Sequence, residues 1–155
     1  MRRKDREICD NQQLFQIIDN CKICRVAMQD QDGIYIVPLN FGYVYRKERL
    51  TLYFHSAKEG RKLNAIMKES RVGFEMDCEH RLIEAENACS YGYAYQSIIG
   101  NGNAEIVDDC EERKRALAIL MKHQTGKDFS FDDKMIANVA VFKINVTSFT
   151  GKVRK

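Results

Sequence analysis

IYIVPLNFGYVYRKERLTLYFHSAKEGRK, residues 34–62, is the stretch from which the fold of this chain can be read. IYIVPL and LTLYFH are rich in β-branched and aromatic residues, as strands are. The charged, turn-prone RKER between them predicts a hairpin. Beyond the second run come Ser56 and Gly60, then Arg61 and Lys62 in what reads as the first turn of a helix beginning near Glu59. The N–H groups of a first helical turn lack intrahelical partners and sit at the positive end of the helix dipole, so an anion is favoured there. Two cations at that place would add charge-assisted hydrogen bonds, the makings of a phosphate clamp. The plainer alternative is that Arg61 and Lys62 form the solvated face of an amphipathic helix.

Upstream, DQDG at 30–33 is an Asp-Gly turn that joins a strand at 24–29 to Ile34, giving a first hairpin. Before it, Leu14, Ile17 and Ile18 have the spacing of a helix over 11–19, with Asp10 or Asn11 as cap. Pro38, the only proline, removes a ladder donor from its strand and marks an edge, a bulge or a position facing a ligand. Downstream, residues 59–70 predict a short helix with Leu63, Ile66 and Met67 on its buried face. Residues 71–77 read as a strand and 78–92 as a long excursion. A long strand over 93–107 carries glycines at 100 and 102 that suggest a bulge. Residues 109–123 predict a helix burying Ala116, Leu117, Leu120 and Met121, and 139–149 a closing strand. The sum is a mainly β chain of six antiparallel strands with a few helices, closed into a barrel or, failing that, an open sheet.

The 155 residues carry no Pro/Gly/Ser-rich linker, which predicts one domain over 1–155 with residues 1–10 and 151–155 as tails. A formal charge of +3 does not argue for nucleic acid, although MRRKDR and GKVRK are locally basic. No apolar run is long enough to span a bilayer and the start is charged, so the expected location is cytoplasmic. Six cysteines then read as reduced thiols. Cys21 and Cys24 form a CxxC without a second pair to complete a zinc site, and Cys78, His80 and Cys89 leave a fourth ligand unspecified. No metal is expected.

Four blocks, IVPLNFGY, LYFHSAKEGRK, VGFEMDCEH and YQSIIGNGNAEIV, occur in an order that resembles the pyridoxamine 5′-phosphate oxidase-like split-barrel flavoproteins, in particular the branch of 5-nitroimidazole resistance (Nim) proteins. The resemblance runs from about Cys21 to the end. It implies a six-stranded split β-barrel that forms a homodimer and holds FMN at the subunit interface. On it, the phosphate-binding basic pair falls on Arg61 and Lys62, and the strand beside the isoalloxazine on Val37, Pro38, Leu39 and Asn40. His55 and Ser56 match positions that approach the flavin and its phosphate, and Gln96 matches a flavin-contacting glutamine. Each has an ordinary alternative: Val37 and Leu39 as core, Asn40 as a turn cap, Gln96 as a solvated strand residue.

His55 stands out as a catalytic candidate, because an imidazole beside a flavin can donate a proton to a substrate being reduced. It can equally be a cofactor hydrogen-bonder or fill a polar pocket. Tyr43, Tyr91, Tyr93 and Tyr95 are further candidates for pocket walls, or for strand packing. The absence of tryptophan and the ending SFTGKVRK depart from the vitamin B6 oxidases, while Cys89 agrees with the Nim-like branch. Tyr91 stands where that branch would be expected to carry a tryptophan. The resemblance implies an FMN-dependent oxidoreductase acting on a small, flat, electron-poor substrate such as a nitroimidazole. Two alternatives remain at this stage. One is a flavin or haem carrier without turnover, with His55, His80 or His123 as axial ligand. The other is a redox sensor using Cys21 and Cys24.

Overall fold

A computed structural model describes residues 3–155. Its elements are β1 (Glu7–Ile8), α1 (Asn11–Asn20), β2 (Ile23–Asp30), β3 (Gly33–Asn40), β4 (Gly42–Arg46), β5 (Arg49–Ser56), α2 (Arg61–Lys68), β6 (Arg71–Ile83), β7 (Gly92–Ile106), α3 (Cys110–Thr125), α4 (Asp133–Ile136) and β8 (Ala140–Arg154). The eight strands form one antiparallel sheet ordered β3-β2-β6-β7-β8-β5-β4, with β1 attached to β8. The ladder begins at β3 and ends at β4 with nothing pairing the two, so the barrel is split there. The fold is a mainly β split barrel with eight strands in place of the six expected.

Each difference has a local cause. IYIVPL does not pair with LTLYFH: it is β3, whose partner is β2, and the hairpin through RKER is β4 with β5. Phe41, fully buried between β3 and β4, sits where the long apolar run breaks into two strands. The hairpin turn is Lys47 and Glu48, both at positive φ (50° and 61°), the backbone of a two-residue type I′ turn made without glycine. The excursion predicted at 78–92 is shorter, because β6 continues to Ile83 past a bulge between Cys78 and Arg81. GKVRK is no tail: Gly151–Arg154 completes β8, with Gly151 and Lys152 opposite Ile8 and Glu7 of β1.

The helices follow their capping chemistry. Asp10 accepts from the Gln12 and Gln13 N–H groups to start α1, which buries Leu14, Ile17 and Ile18. In α2 the buried residues are Leu63, Ala65 and Ile66, whereas Met67, expected inside, is 66% exposed. The alternating strands fill the barrel with Val26, Met28, Leu52, Phe54, Phe74, Met76, Ile98, Phe142 and Ile144. On the outer side α3 covers β5 and β8 through Ala116, Leu117 and Val141. It lies so close to β4 that a Cβ on Gly42 would fall 2.5 Å from Leu120 Cα. Among the described residues no helix is long and apolar enough to cross a membrane.

Candidate functional site

Strand β3 is an edge strand, and its residues alternate between half-buried and exposed along its length. Val37 and Leu39 turn inward and pack on the barrel core, while Pro38 and Asn40 are exposed. Pro38 lies opposite Arg25 of β2, and a proline is harmless on an edge. The outer rim of β3 has no strand partner, so its backbone polar groups are available to the heteroatoms of a ligand. Asn40 is tied to its surroundings: its amide donates to the Lys22 carbonyl (3.2 Å) and to Gln124 Oε1 (3.1 Å).

Helix α2 begins at Arg61, two residues later than expected, after Gly60 at φ 135°, a conformation that favours glycine. No side chain caps its first turn, so the N-terminal N–H groups are open to an anion. Arg61 reaches back to the Asp-Gly turn, donating through Nε and Nη2 to the two Asp30 carboxylate oxygens (2.5 and 3.1 Å). Its guanidinium also lies 4.5 Å over the ring of Tyr35. The ion pair holds the Asp30 carboxyl below its usual range. Nη1 of Arg61 remains unpaired among the described residues.

Lys62 differs from its neighbour. It is half-buried, has no carboxylate partner among the described residues, and desolvation alone lowers its amine pKa. A desolvated cation without an anion is unfavourable by itself and becomes favourable once an anion arrives. The open helix start, the free Arg61 donor and the orphaned Lys62 therefore fit a phosphate.

His55 and Ser56 end β5, opposite Val141 and Ala140 of β8. Phe54 fills the core while His55 projects from the other face and is exposed, with no hydrogen-bond partner among the described residues. Gln96 is half-buried on β7 between Cys78 and Val153, its Oε1 4.0 Å from Cys78 Sγ. It lines two adjoining cavities, neither of which includes Arg61, Lys62, His55 or the β3 residues. The single chain thus does not bring Gln96 to the α2 terminus.

The remaining candidates are occupied or peripheral. Tyr43 donates to Asp19 (2.8 Å), Tyr91 and Tyr93 are exposed, and Lys152 lies 5.5 Å from the ring centre of Tyr95. His80 pairs with Asp77 (2.7 Å). His123 sits 4.6 Å from the Phe41 ring, with Nε2 2.9 Å from the Cys21 carbonyl, and burial lowers its pKa. Cys21 and Cys24 are both buried, and desolvation pushes both thiols far up, which opposes thiolate chemistry. The thiol beside Cys21 is that of Cys78.

Two features were not legible in the sequence. Asp30 as partner of Arg61 depends on a contact across 31 positions, with no local signal. The second is a groove of about 640 Å³ on the outer face of the sheet, floored by Ala27 and Gly73 and edged by Ile34 and Asn101. Small residues recurring at outward strand positions were the available clue.

The comparisons with known proteins bear on the family and the fold. The family model described as pyridoxamine 5′-phosphate oxidase matches residues 10–153. A candidate 5-nitroimidazole antibiotic resistance protein of Bacteroides thetaiotaomicron VPI-5482 is 36% identical, with a TM-score of 0.81 over 95% of this chain and 86% of its own. The flavocytochrome Anf3 of Azotobacter vinelandii shares the fold at 18% identity and a TM-score of 0.80, over 100% of this chain and 72% of its own. An FAD-binding protein of Mesorhizobium loti does so at 21% identity and 0.67, over 97% and 98%. No curated protein matches significantly.

Proposed function

The chain belongs to the pyridoxamine 5′-phosphate oxidase family, and from that premise we propose that it is a dimeric, FMN-binding oxidoreductase that reduces a small, flat, electron-poor substrate of the nitroimidazole kind. The observation that carries the reading is Lys62, a half-buried cation with no carboxylate partner among the described residues, beside the uncapped start of α2. The phosphate of the flavin is the anion that would complete it. Arg61 contributes its free Nη1 while Asp30 keeps the guanidinium oriented. Val37, Pro38, Leu39 and Asn40 offer the open rim of β3 to the ring edge, and Ser56 adds a hydroxyl at the neighbouring strand end.

When bound, the flavin supplies the redox chemistry, and the protein supplies binding, orientation and electrostatics. His55 is exposed and unpaired, so its imidazole can carry a proton to a substrate at the site. Gln96 cannot complete the same chain's site from its place on β7, which supports its entering from a second subunit. A surface for that subunit is at hand. Ile34, Ile36 and Ile99 are 68%, 60% and 58% exposed, and Ile34 edges the groove floored by Ala27 and Gly73.

The absorption spectrum of the purified protein, with and without added FMN, tests the reading. A visible flavin band that Lys62→Ala weakens is the expected result. A Soret band would replace the flavin with haem, and neither band with no thermal shift on FMN addition would remove the proposal. Addition of reduced nicotinamide dinucleotide separates enzyme from carrier, since only turnover bleaches the flavin and consumes the nitro compound.

A further inference from the structure

The basic segments near the two ends of the chain converge. Strand β1 lies along the end of β8, which puts Arg6 and Lys152 around Tyr95 on β7. These two cations hold the Tyr95 phenol below its usual range. Directly across from Tyr95 is Arg154, whose guanidinium lies over Gly92: a Cβ at that glycine would stand 2.3 Å from Arg154 Nη2. The missing side chain of Gly92 is what leaves room for the arginine. After the β6 bulge, Arg81 comes to lie opposite Ala94.

Together Arg81, Arg154 and Lys155 line a cavity of about 290 Å³ whose wall also holds Tyr95 and Gln96, with Glu79 as its one acidic side chain. An adjoining cavity of about 300 Å³ shares Gln96, Val153 and Lys155. Among the described residues, none of Arg81, Lys152, Arg154 and Lys155 takes part in an ion pair, whereas most arginines elsewhere on this surface do. Cations gathered around one cavity repel one another, and the arrangement is relieved by a polyanion. The planar forks of two arginines match the geometry of phosphate groups.

We infer that this groove seats the diphosphate of a nicotinamide dinucleotide, the reductant of the flavin. The inference rests on the flavin reading above, because Gln96 links the two: it lines the groove and is the residue assigned to the flavin. The diphosphate would sit among Arg81, Arg154 and Lys155, with Gln96 on the same cavity wall.

Titration of the flavin-loaded protein with ADP-ribose, and separately with inorganic pyrophosphate, tests it. In the Arg81→Gln, Lys155→Gln double variant, both of whose sites are exposed, ADP-ribose affinity should fall about tenfold or more while flavin content and Tm stay unchanged. The KM for the dinucleotide should rise with kcat retained. Gly92→Ala, which displaces Arg154, should give the same loss. Parental ADP-ribose affinity in the double variant would overturn the assignment. Equal binding of pyrophosphate and ADP-ribose would also overturn it, by reducing the groove to a site for bare diphosphate. A colourless protein that FMN fails to colour is a different failure, that of the flavin reading itself.

Discussion

Lys62 and Arg61 are sequence neighbours with different physical situations, and the difference makes them separable by mutation. Arg61 is ion-paired to Asp30, stacked on Tyr35 and about half exposed, so Arg61→Ala removes both the proposed phosphate donor and a surface contact of small value. Lys62 has only its desolvation. Lys62→Met should therefore leave stability equal or slightly higher while lowering FMN affinity by about tenfold to a hundredfold, the worth of one charge-assisted hydrogen bond. Flavin fluorescence titration together with thermal melting reads both quantities. His123 supports a second prediction. Burial places its folded pKa below the unfolded value of 6.5, so the unfolded chain takes up the proton first as pH falls. The neutral ring's contribution is fully present above about 6.5 and is lost as pH drops from there toward the lower folded pKa. His123→Gln should flatten that part of the stability-against-pH curve. An unchanged slope in urea melts between pH 7 and 5 would place the titration elsewhere.

The β4–β5 hairpin turns on Lys47 and Glu48, both in the left-handed region that β-turns of this type require and that glycine and asparagine adopt at lower cost. Replacing the pair with Asn-Gly should raise stability by about 1 kcal/mol without altering the site, a change visible in the urea midpoint at constant slope. This element also shows where local reading runs short. The β-branched and aromatic residues of 34–55 predict extended structure correctly, and the Asp-Gly turn at 30–33 is where it was read. Which strand pairs with which is not legible locally, because IYIVPL, GYVYR and LTLYFH are all rich in β-branched and aromatic residues and only Phe41, Gly42 and the packing of α3 separate them. Helix α3 was legible from its charge distribution and its apolar face, although Met121, expected inside with Ala116, Leu117 and Leu120, is only half-buried. Met67 was not, because a helix of eight residues has too few turns for periodicity to choose between adjacent faces.

At the level of the assembly, exposed Ile34, Ile36 and Ile99 form the surface to test. Ile36→Glu should convert the proposed dimer to a monomer in light scattering and, because the site is then incomplete, weaken flavin binding in parallel. Retention of a dimer would move the interface to another face. The family, the β-rich split barrel and the basic pair at the start of α2 were all readable from the amino-acid order, since strand propensity, turn chemistry and helix-start signals act over a few residues. Folding alone made the pairing of Arg61 with Asp30, the isolation of Lys62, the separation of Gln96 from both, and the joining of the two basic segments across β1 and β8. Those are contacts between residues tens of positions apart. Their energies depend on distance and burial, which exist only once the chain has closed its sheet.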